Sequence, residues 1–370
     1  MRSPDMVNGS QIPPPSDALA IDLLRQMLAI ASPSYDEAAL AHYLAGRMRE
    51  LGYAAGVDQA GNVVGELVRG GGPTVMLLGH LDTVTGEVPV REEGGRLYGR
   101  GAVDAKAPLA AMVCAAAASA FTGRLVVVGA VEEETPLSRG AMHILASHPT
   151  PDALIIGEPS GWRTVVLGYK GKLDFWYRVE CEATHPSNPA AKASELAAEC
   201  WSQVRQLLGP EAGHARFDQP GATLVSITGD LTTAAANVSV RTPLGFDAAA
   251  FLTDLQGRLA GGTLELINSV GACRVGRNDP VVHALNRAIR QGGSSPGAKV
   301  KTATSDMNTL AEQWKIPMAT YGPGDSALDH ADDESIEIVE YLAGVRVLTL
   351  ALNELSTGLP GRRPAIVGAR

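Results

Sequence analysis

Short apolar runs that end in polar residues recur through the first half of the chain. Residues 74–79 run into His80, residues 125–131 into Glu132, Glu133 and Glu134, and residues 153–157 into Glu158. Each run is too short for a helix and has almost no polar interruption, the pattern of a strand buried on both faces. Helical signals lie before and between them. Ser16 predicts the cap of a helix reaching about residue 30. Ser34 with Glu37 three residues later predicts a capping box for a second helix ending near Gly52. Pro108 suits the first turn of a third.

From residue 173 to about 273 the pattern changes. Residues 173–180 alternate, a helix is predicted over 191–208, and residues 223–228 and 237–241 read as further strands. Strands grouped in this way beside a helix predict an antiparallel sheet with helices on one side. After Asp279 strands and helices alternate again: a helix to Arg290, a strand near Val300, a helix after Ser305, a strand over 317–321 and a long helix over about 334–355. The expected fold class is therefore α/β, a doubly covered and mainly parallel sheet domain with an inserted α+β domain of antiparallel sheet and helices. The expected boundaries are a disordered leader at 1–15, segments of the first domain at 16–170 and 276–357, the insertion at 171–275 and a flexible tail at 358–370.

A chain of 370 residues exceeds the size of one ordinary core, which agrees with two domains. Its 31 basic and 40 acidic residues leave a net charge of −9, with no Lys/Arg run. Nucleic acid and anionic membrane are poor partners for such a surface. The longest apolar stretch, around residues 107–121, is alanine-rich and too short to span a bilayer. The polar, proline-rich start lacks the apolar segment of a secretory signal, so a cytoplasmic location is expected. Cys114, Cys181, Cys200 and Cys273 form no C-x-x-C pair, so neither a thiolate zinc site nor a redox motif is expected.

The strand ends carry the chemistry. His80 and Asp82 sit at the C-terminal end of a buried strand, where open α/β sheets bind ligands. The glutamate triplet and Glu158 end two further strands, and Asp104 lies in the glycine-rich loop 99–104. Several carboxylates on one partly buried rim repel one another unless a cation compensates. Carboxylate and imidazole without thiolate suit zinc, with cobalt or manganese as substitutes, and one carboxylate can bridge two metals. A solvated acidic face is the competing reading of the triplet, but it does not account for its place directly after a buried strand. Asp104 replaces the third glycine of a dinucleotide loop, and no phosphate loop, G-x-S-x-G or H-E-x-x-H is present.

These residues resemble the dinuclear-zinc aminoacylase and exopeptidase family, whose members include acetylornithine deacetylase, succinyl-diaminopimelate desuccinylase and carboxypeptidase G-like enzymes. The matching segments are Gly79-His80-Leu81-Asp82-Thr83-Val84, Gly99-Arg100-Gly101-Ala102-Val103-Asp104-Ala105-Lys106, Glu132-Glu133-Glu134, Glu158-Pro159, and Gly322-Pro323-Gly324 with His330 beyond. The resemblance implies that Asp104 bridges two zinc ions, with His80 and Glu158 completing one shell and Glu134 and His330 the other. It implies that Asp82 orients the His80 imidazole and that Glu133 is the general base. The family usually shows Asp-Glu-Glu where this chain has three glutamates. Aligning Glu132 with the aspartate gives these roles; the competing register makes Glu132 the base and Glu133 the ligand.

The resemblance further implies that the first domain is the catalytic domain and the insertion a lid or dimerisation domain, in a homodimer in which His185, in Thr184-His185-Pro186, reaches the partner's active site and helps bind the oxyanion. Arg241 matches the arginine that grips the substrate α-carboxylate. The family's upstream asparagine is replaced by Thr228, Gly229 and Asp230, so Asn237, on the same strand face as Arg241, is the expected substitute. Gly168-Tyr169-Lys170-Gly171, Ser305-Asp306-Met307-Asn308 and Gly324-Asp325-Ser326 look most like one branch. Its members are lysine-biosynthesis hydrolases, also described as acetyl-lysine deacetylases, that release lysine or ornithine from an amino-group carrier protein. Gly324 and Asp325 are then expected at the substrate, with Asp325, Asp306 or Asp329 as the carboxylate for a cationic side chain. The expected function is metal-dependent hydrolysis of a linear amide in lysine or arginine biosynthesis, on an N-acyl basic amino acid or a carrier-linked one. Acetylornithine deacetylase or a dipeptidase is the alternative within the family. A non-catalytic binding module is the alternative of another class.

Overall fold

The structure is a computed structural model and describes residues 13–359. Most of the expected leader and tail lies outside these residues. Among the described residues no helix is long and apolar enough to cross a membrane, and all four cysteines are free.

The parallel strands are the apolar runs. Thr74–His80 pairs in parallel with Gly123–Ala130 on one side and with Ala153–Ile156 on the other, and Met318–Thr320 adds in parallel beyond Ala153–Ile156. Val63–Arg69 and Ala54–Val57 continue the sheet antiparallel at one end; towards the other, Thr164–Tyr169 runs antiparallel to Met318–Thr320 and pairs with Cys273–Arg274 (antiparallel) and Gly297–Lys301 (parallel). Within each parallel strand the side chains alternate between two cores. Val75, Leu77, Leu125, Val127 and Ile155 meet helices Asp17–Ala29, Ala38–Glu50, Lys106–Ala118, Pro280–Gln291 and Ile338–Gly358. Met76, Leu78, Val126, Val128 and Ile156 meet Ile144, Met307 and Leu310 from helices Arg139–Ser147 and Asp306–Ala311. Both faces are covered, so the strands read as continuous apolar runs.

The alanine-rich stretch is the central helix Lys106–Ala118, whose residues 106–116 are all buried. Small side chains let it lie close to the sheet. Gly157 completes the fit, since a Cβ there would meet Met112 Sδ at 2.8 Å.

Strands between residues 171 and 270 form a separate four-stranded antiparallel sheet. Its order is Gly221–Gly229, Thr233–Thr242, Gly171–Glu180, Thr263–Val270, and helices Ala193–Leu208 and Ala248–Arg258 pack on one face. The helix Ala248–Arg258 and the strand Thr263–Val270 have no counterpart among the elements expected from the sequence. The strand's burial pattern has no clean alternation, and the helix buries only Phe251 and Leu255, so the periodic signal of both is weak.

The capping box expected at Ser34 and Glu37 does not form. Helix Ala38–Glu50 begins after Glu37 with no side-chain cap. Ser34 Oγ instead donates to Asp82 Oδ2 (2.9 Å), and Glu37 Oε1 accepts from the Glu132 N–H (3.1 Å). A cap and a loop brace use the same oxygen chemistry, and here the strand-end loops compete successfully for it. The cap expected at Ser16 forms, accepting from Leu19 N–H; Asp279 also caps its helix through Val281 N–H, and Ser305 with Asn308 makes a capping box.

Candidate metal centre

Parallel pairing brings the polar ends of the strands to one rim. His80 ends its strand, the glutamates follow Ala130, Glu158 follows Ile156, and the segment to His330 follows Thr320. His80 is 1% exposed. Its Nε2 lies 3.1 Å from Asp104 Oδ1 and 3.8 Å from Glu158 Oε1. His330 Nε2 lies 3.3 Å from the other Asp104 oxygen, Oδ2, and 2.8 Å from Glu134 Oε1. Two groups of nitrogen and oxygen donors thus share Asp104, one oxygen each: His80, Asp104 and Glu158, and Asp104, Glu134 and His330. In a tetrahedral site with bonds near 2.0–2.2 Å, neighbouring ligand atoms sit roughly 3.3 Å apart. The observed separations bracket that spacing, and the donors are imidazole and carboxylate, so the residues fit a pair of divalent cations.

The glutamate triplet divides. Glu132 turns its carboxylate to Arg139 (2.6 Å). Glu134 reaches His330, and Glu133 is close enough to Glu158, His80 and Glu134 to feel their charges. His80, Glu133 and Glu134 also form a third donor cluster.

Electrostatics shows the strain of this crowding. Burial, reinforced by the Glu158 charge, raises the Glu133 carboxyl well above the ordinary range. Burial and the Asp104 charge push Glu158 up to about 8. Burial works against ionised Asp104 too, but bonds from His330 and His80 hold it well below the usual carboxylate range. The same bonds to Asp104 and Glu134 push His330 up to about 10. Burial lowers His80, and its bonds to Asp104 and Asp82 outweigh that and raise it. Metal binding at such donors competes with their protons.

Two further carboxylates hold the loops that carry the donors. Asp82, fully buried, accepts from the Glu133 and Glu134 N–H groups (3.0 Å each) and from Ser34. The His80 Nδ1 contact is made chiefly by the Asp82 backbone carbonyl (2.8 Å), with the Asp82 carboxylate at 3.4 Å. Glu334, 1% exposed, accepts from the N–H groups of Gly101, Val103 and Asp104 (2.8–3.0 Å) and from Arg100. Lys106, also buried, ties this loop to the end of helix Asp17–Ala29 through the carbonyls of Met27 and Ile30. Gly101, at φ +89°, gives its lysine room: a Cβ would meet Lys106 Cγ at 2.8 Å. Glu334 is not among the expected site residues. It ends the acidic stretch Asp332-Asp333-Glu334 at the expected start of the last long helix, a position that offers no local signal for burial.

A cavity of about 580 Å³ opens beside the centre. Its walls are the Glu132–Arg139 loop and Met142, Lys172, Arg241 and residues 268–270 of the antiparallel sheet, and Thr304, Ser305, Thr309 and Glu312. Arg241 is present, with a guanidinium nitrogen bonded to Thr304 Oγ1. Asn237 shares its strand face but does not line the cavity. Gly324 donates to Glu340 (3.1 Å), packing beside Val103. Asp325 caps the turn Ser326–Leu328 through Ala327 N–H and lines a different cavity with Trp162 and Glu340. Asp306 is buried at the start of its helix. His185 sits in an exposed loop, bonded to Ser187 (2.7 Å), and is not brought to the metal centre of its own chain.

Residues 76–354 match the peptidase family M20/M25/M40. The chain is 41% identical over 363 residues to the "[LysW]-lysine hydrolase" of Deinococcus radiodurans, covering 94% of this chain and 99% of that protein. It is 28% identical to the "[LysW]-lysine/[LysW]-ornithine hydrolase" of Saccharolobus islandicus, covering 91% and 96%. Among solved structures, aminopeptidase PepT from Bacillus cereus superposes with a TM-score of 0.78 at 17% identity, covering 92% of this chain and 99% of that one. An M20 family metallo-carboxypeptidase from Sulfolobus solfataricus gives 0.77 at 18%, covering 91% and 99%. At such identities the likeness concerns the fold alone.

Replacing Glu334 by alanine strands three buried N–H donors on the Asp104 loop. Metal affinity should fall by roughly 10- to 100-fold while circular dichroism stays close to wild type; unchanged affinity in a competition titration contradicts the bracing role.

Proposed function

The chain belongs to peptidase family M20/M25/M40, and from that membership we propose that it is a dinuclear zinc hydrolase that releases lysine or ornithine from an amino-group carrier protein. The observation that carries the reading is the sharing of Asp104 between two donor groups, together with the names of relatives aligned over almost their whole length. Cobalt is the expected substitute metal. The four free cysteines suit a reducing cytoplasm.

His80, Asp104 and Glu158 would hold one ion, and Asp104, Glu134 and His330 the other; metal held there would supply polarisation of the scissile carbonyl and a more acidic attacking water. Glu133 serves as the general base. It takes the proton as the water oxygen bonds to the carbonyl carbon, then delivers it to the nitrogen as the C–N bond breaks. The Glu132 register is disfavoured because that carboxylate is engaged by Arg139. Asp82 fixes both the His80 ring and the backbone of Glu133 and Glu134. Arg241 grips the α-carboxylate of the departing amino acid.

We also propose a homodimer in which the partner subunit's His185 helps neutralise the oxyanion. Val225 and Ile227, 56% and 44% exposed, lie on the edge strand Gly221–Gly229. An apolar exposed edge is an aggregation hazard unless it is covered. In sedimentation, Ile227→Asp should shift the protein from dimer to monomer; a wild-type monomer would remove the assignment of His185.

Glu133→Gln should keep its metal and lose several orders of magnitude in rate, whereas Glu134→Ala should lose metal. Equal metal loss in both overturns these roles. Hydrolysis of carrier-linked lysine should exceed that of N-acetyl-lysine and N-acetylornithine; the reverse order supports the acetylornithine deacetylase alternative. No turnover of any amide by the metal-loaded protein favours the binding-module reading.

A further inference from the structure

The cavity beside Glu133 contains more charge than the hydrolytic step uses. Seven charged residues line it, and most are already occupied. Glu132 pairs with Arg139 (2.6 Å), Lys172 pairs with Asp174 (2.9 Å), and Glu133 and Glu134 belong to the metal centre. Two remain. Among the described residues, Arg241 bonds only the neutral hydroxyl of Thr304, and Glu312 accepts only the backbone N–H of Gly271 (3.0 Å). The same wall carries apolar surface: Leu137 and Met142 are 63% and 49% exposed and line the cavity beside Val270.

One unpaired cation, one unpaired anion and an apolar wall describe the complement of a molecule with a carboxylate, an aliphatic chain and an ammonium. An Nα-acylated basic amino acid has those groups, because its α-nitrogen is committed to the amide beside Glu133. We propose that Glu312 receives the side-chain ammonium of the departing amino acid and so selects a basic residue over neutral and acidic ones. This inference rests on the reading of the protein as a hydrolase that liberates lysine or ornithine. Glu312 takes the place that the sequence suggested for Asp325, Asp306 or Asp329. Asp325 lines another cavity, and neither Asp306 nor Asp329 lines this one. Glu312 lies one residue beyond helix Asp306–Ala311, and its bond to Gly271 fastens that helix to the end of the inserted sheet. A substrate ammonium on its second oxygen therefore engages both walls of the cavity.

Titration calorimetry on the metal-loaded protein with L-lysine and L-norleucine tests the assignment without requiring turnover. Norleucine has the same chain without the ammonium. Wild type should bind lysine roughly tenfold or more tightly than norleucine, because a recognised polar group is discriminated strongly from its absence. Glu312→Gln keeps an acceptor for Gly271 N–H and removes the charge; it should abolish the preference and leave norleucine affinity within about twofold. Glu312→Lys should favour 2-aminoadipate over lysine. A lysine preference that survives Glu312→Gln overturns the role of Glu312 and leaves the basic-amino-acid reading intact. Equal loss of lysine and norleucine makes Glu312 a brace only and also overturns it. Absence of any lysine preference in wild type overturns both this inference and the reading beneath it.

Discussion

Two buried carboxylates, Asp82 and Glu334, hold the loops from which the metal donors project. Neither is placed to take a full share of a metal itself, because their oxygens are engaged by backbone N–H groups. Asp82 takes those of Glu133 and Glu134, and Glu334 takes those of Gly101, Val103 and Asp104. Charge-assisted bonds to main chain fix where a Cα sits and which way its side chain leaves. The bridge and one glutamate pair are therefore set by groups outside the donor set. Crowding that would otherwise push the donors apart is held in register until cations neutralise it.

The sheet explains why this happens at one place. Parallel pairing puts the C-terminal ends of four strands on the same rim, and the central helix closes beneath them without bulky side chains. Each polar strand end is then within reach of its neighbours although long stretches of sequence separate most of them. The antiparallel sheet adds a second wall, carrying Lys172, Arg241 and residues 268–270 to the cavity that the catalytic rim leaves open. The proposed function divides chemistry and selection between the two: the rim would attack the amide, and the cavity between rim and inserted sheet would receive the amino acid.

Much of this was legible in the chain. Continuous apolar runs ending in His80, the glutamates and Glu158 are strong signals because both faces of each strand are buried, and burial is what periodicity reports. The donor set could be read because nearly every member sits at such an end or in a glycine-rich loop. The braces were not legible. Ser34 and Glu37 have the spacing of a helix cap, yet they serve Asp82 and Glu132, since a local pattern cannot say which distant loop will compete for the same oxygen. Glu334 falls at the expected start of the last long helix, and Glu312 carries no motif, so neither stands out. Asn237 follows Arg241 by strand periodicity, but a shared face does not ensure a shared cavity. Long-range placement decided each of these.

The most direct test of the account is a crystal structure of the zinc-loaded protein with anomalous scattering at the metal edge. The account predicts two peaks on either side of Asp104, about 3.5–4 Å apart, one within bonding distance of His80 and Glu158 and the other of Glu134 and His330. A single peak, or two that do not share Asp104, would contradict it.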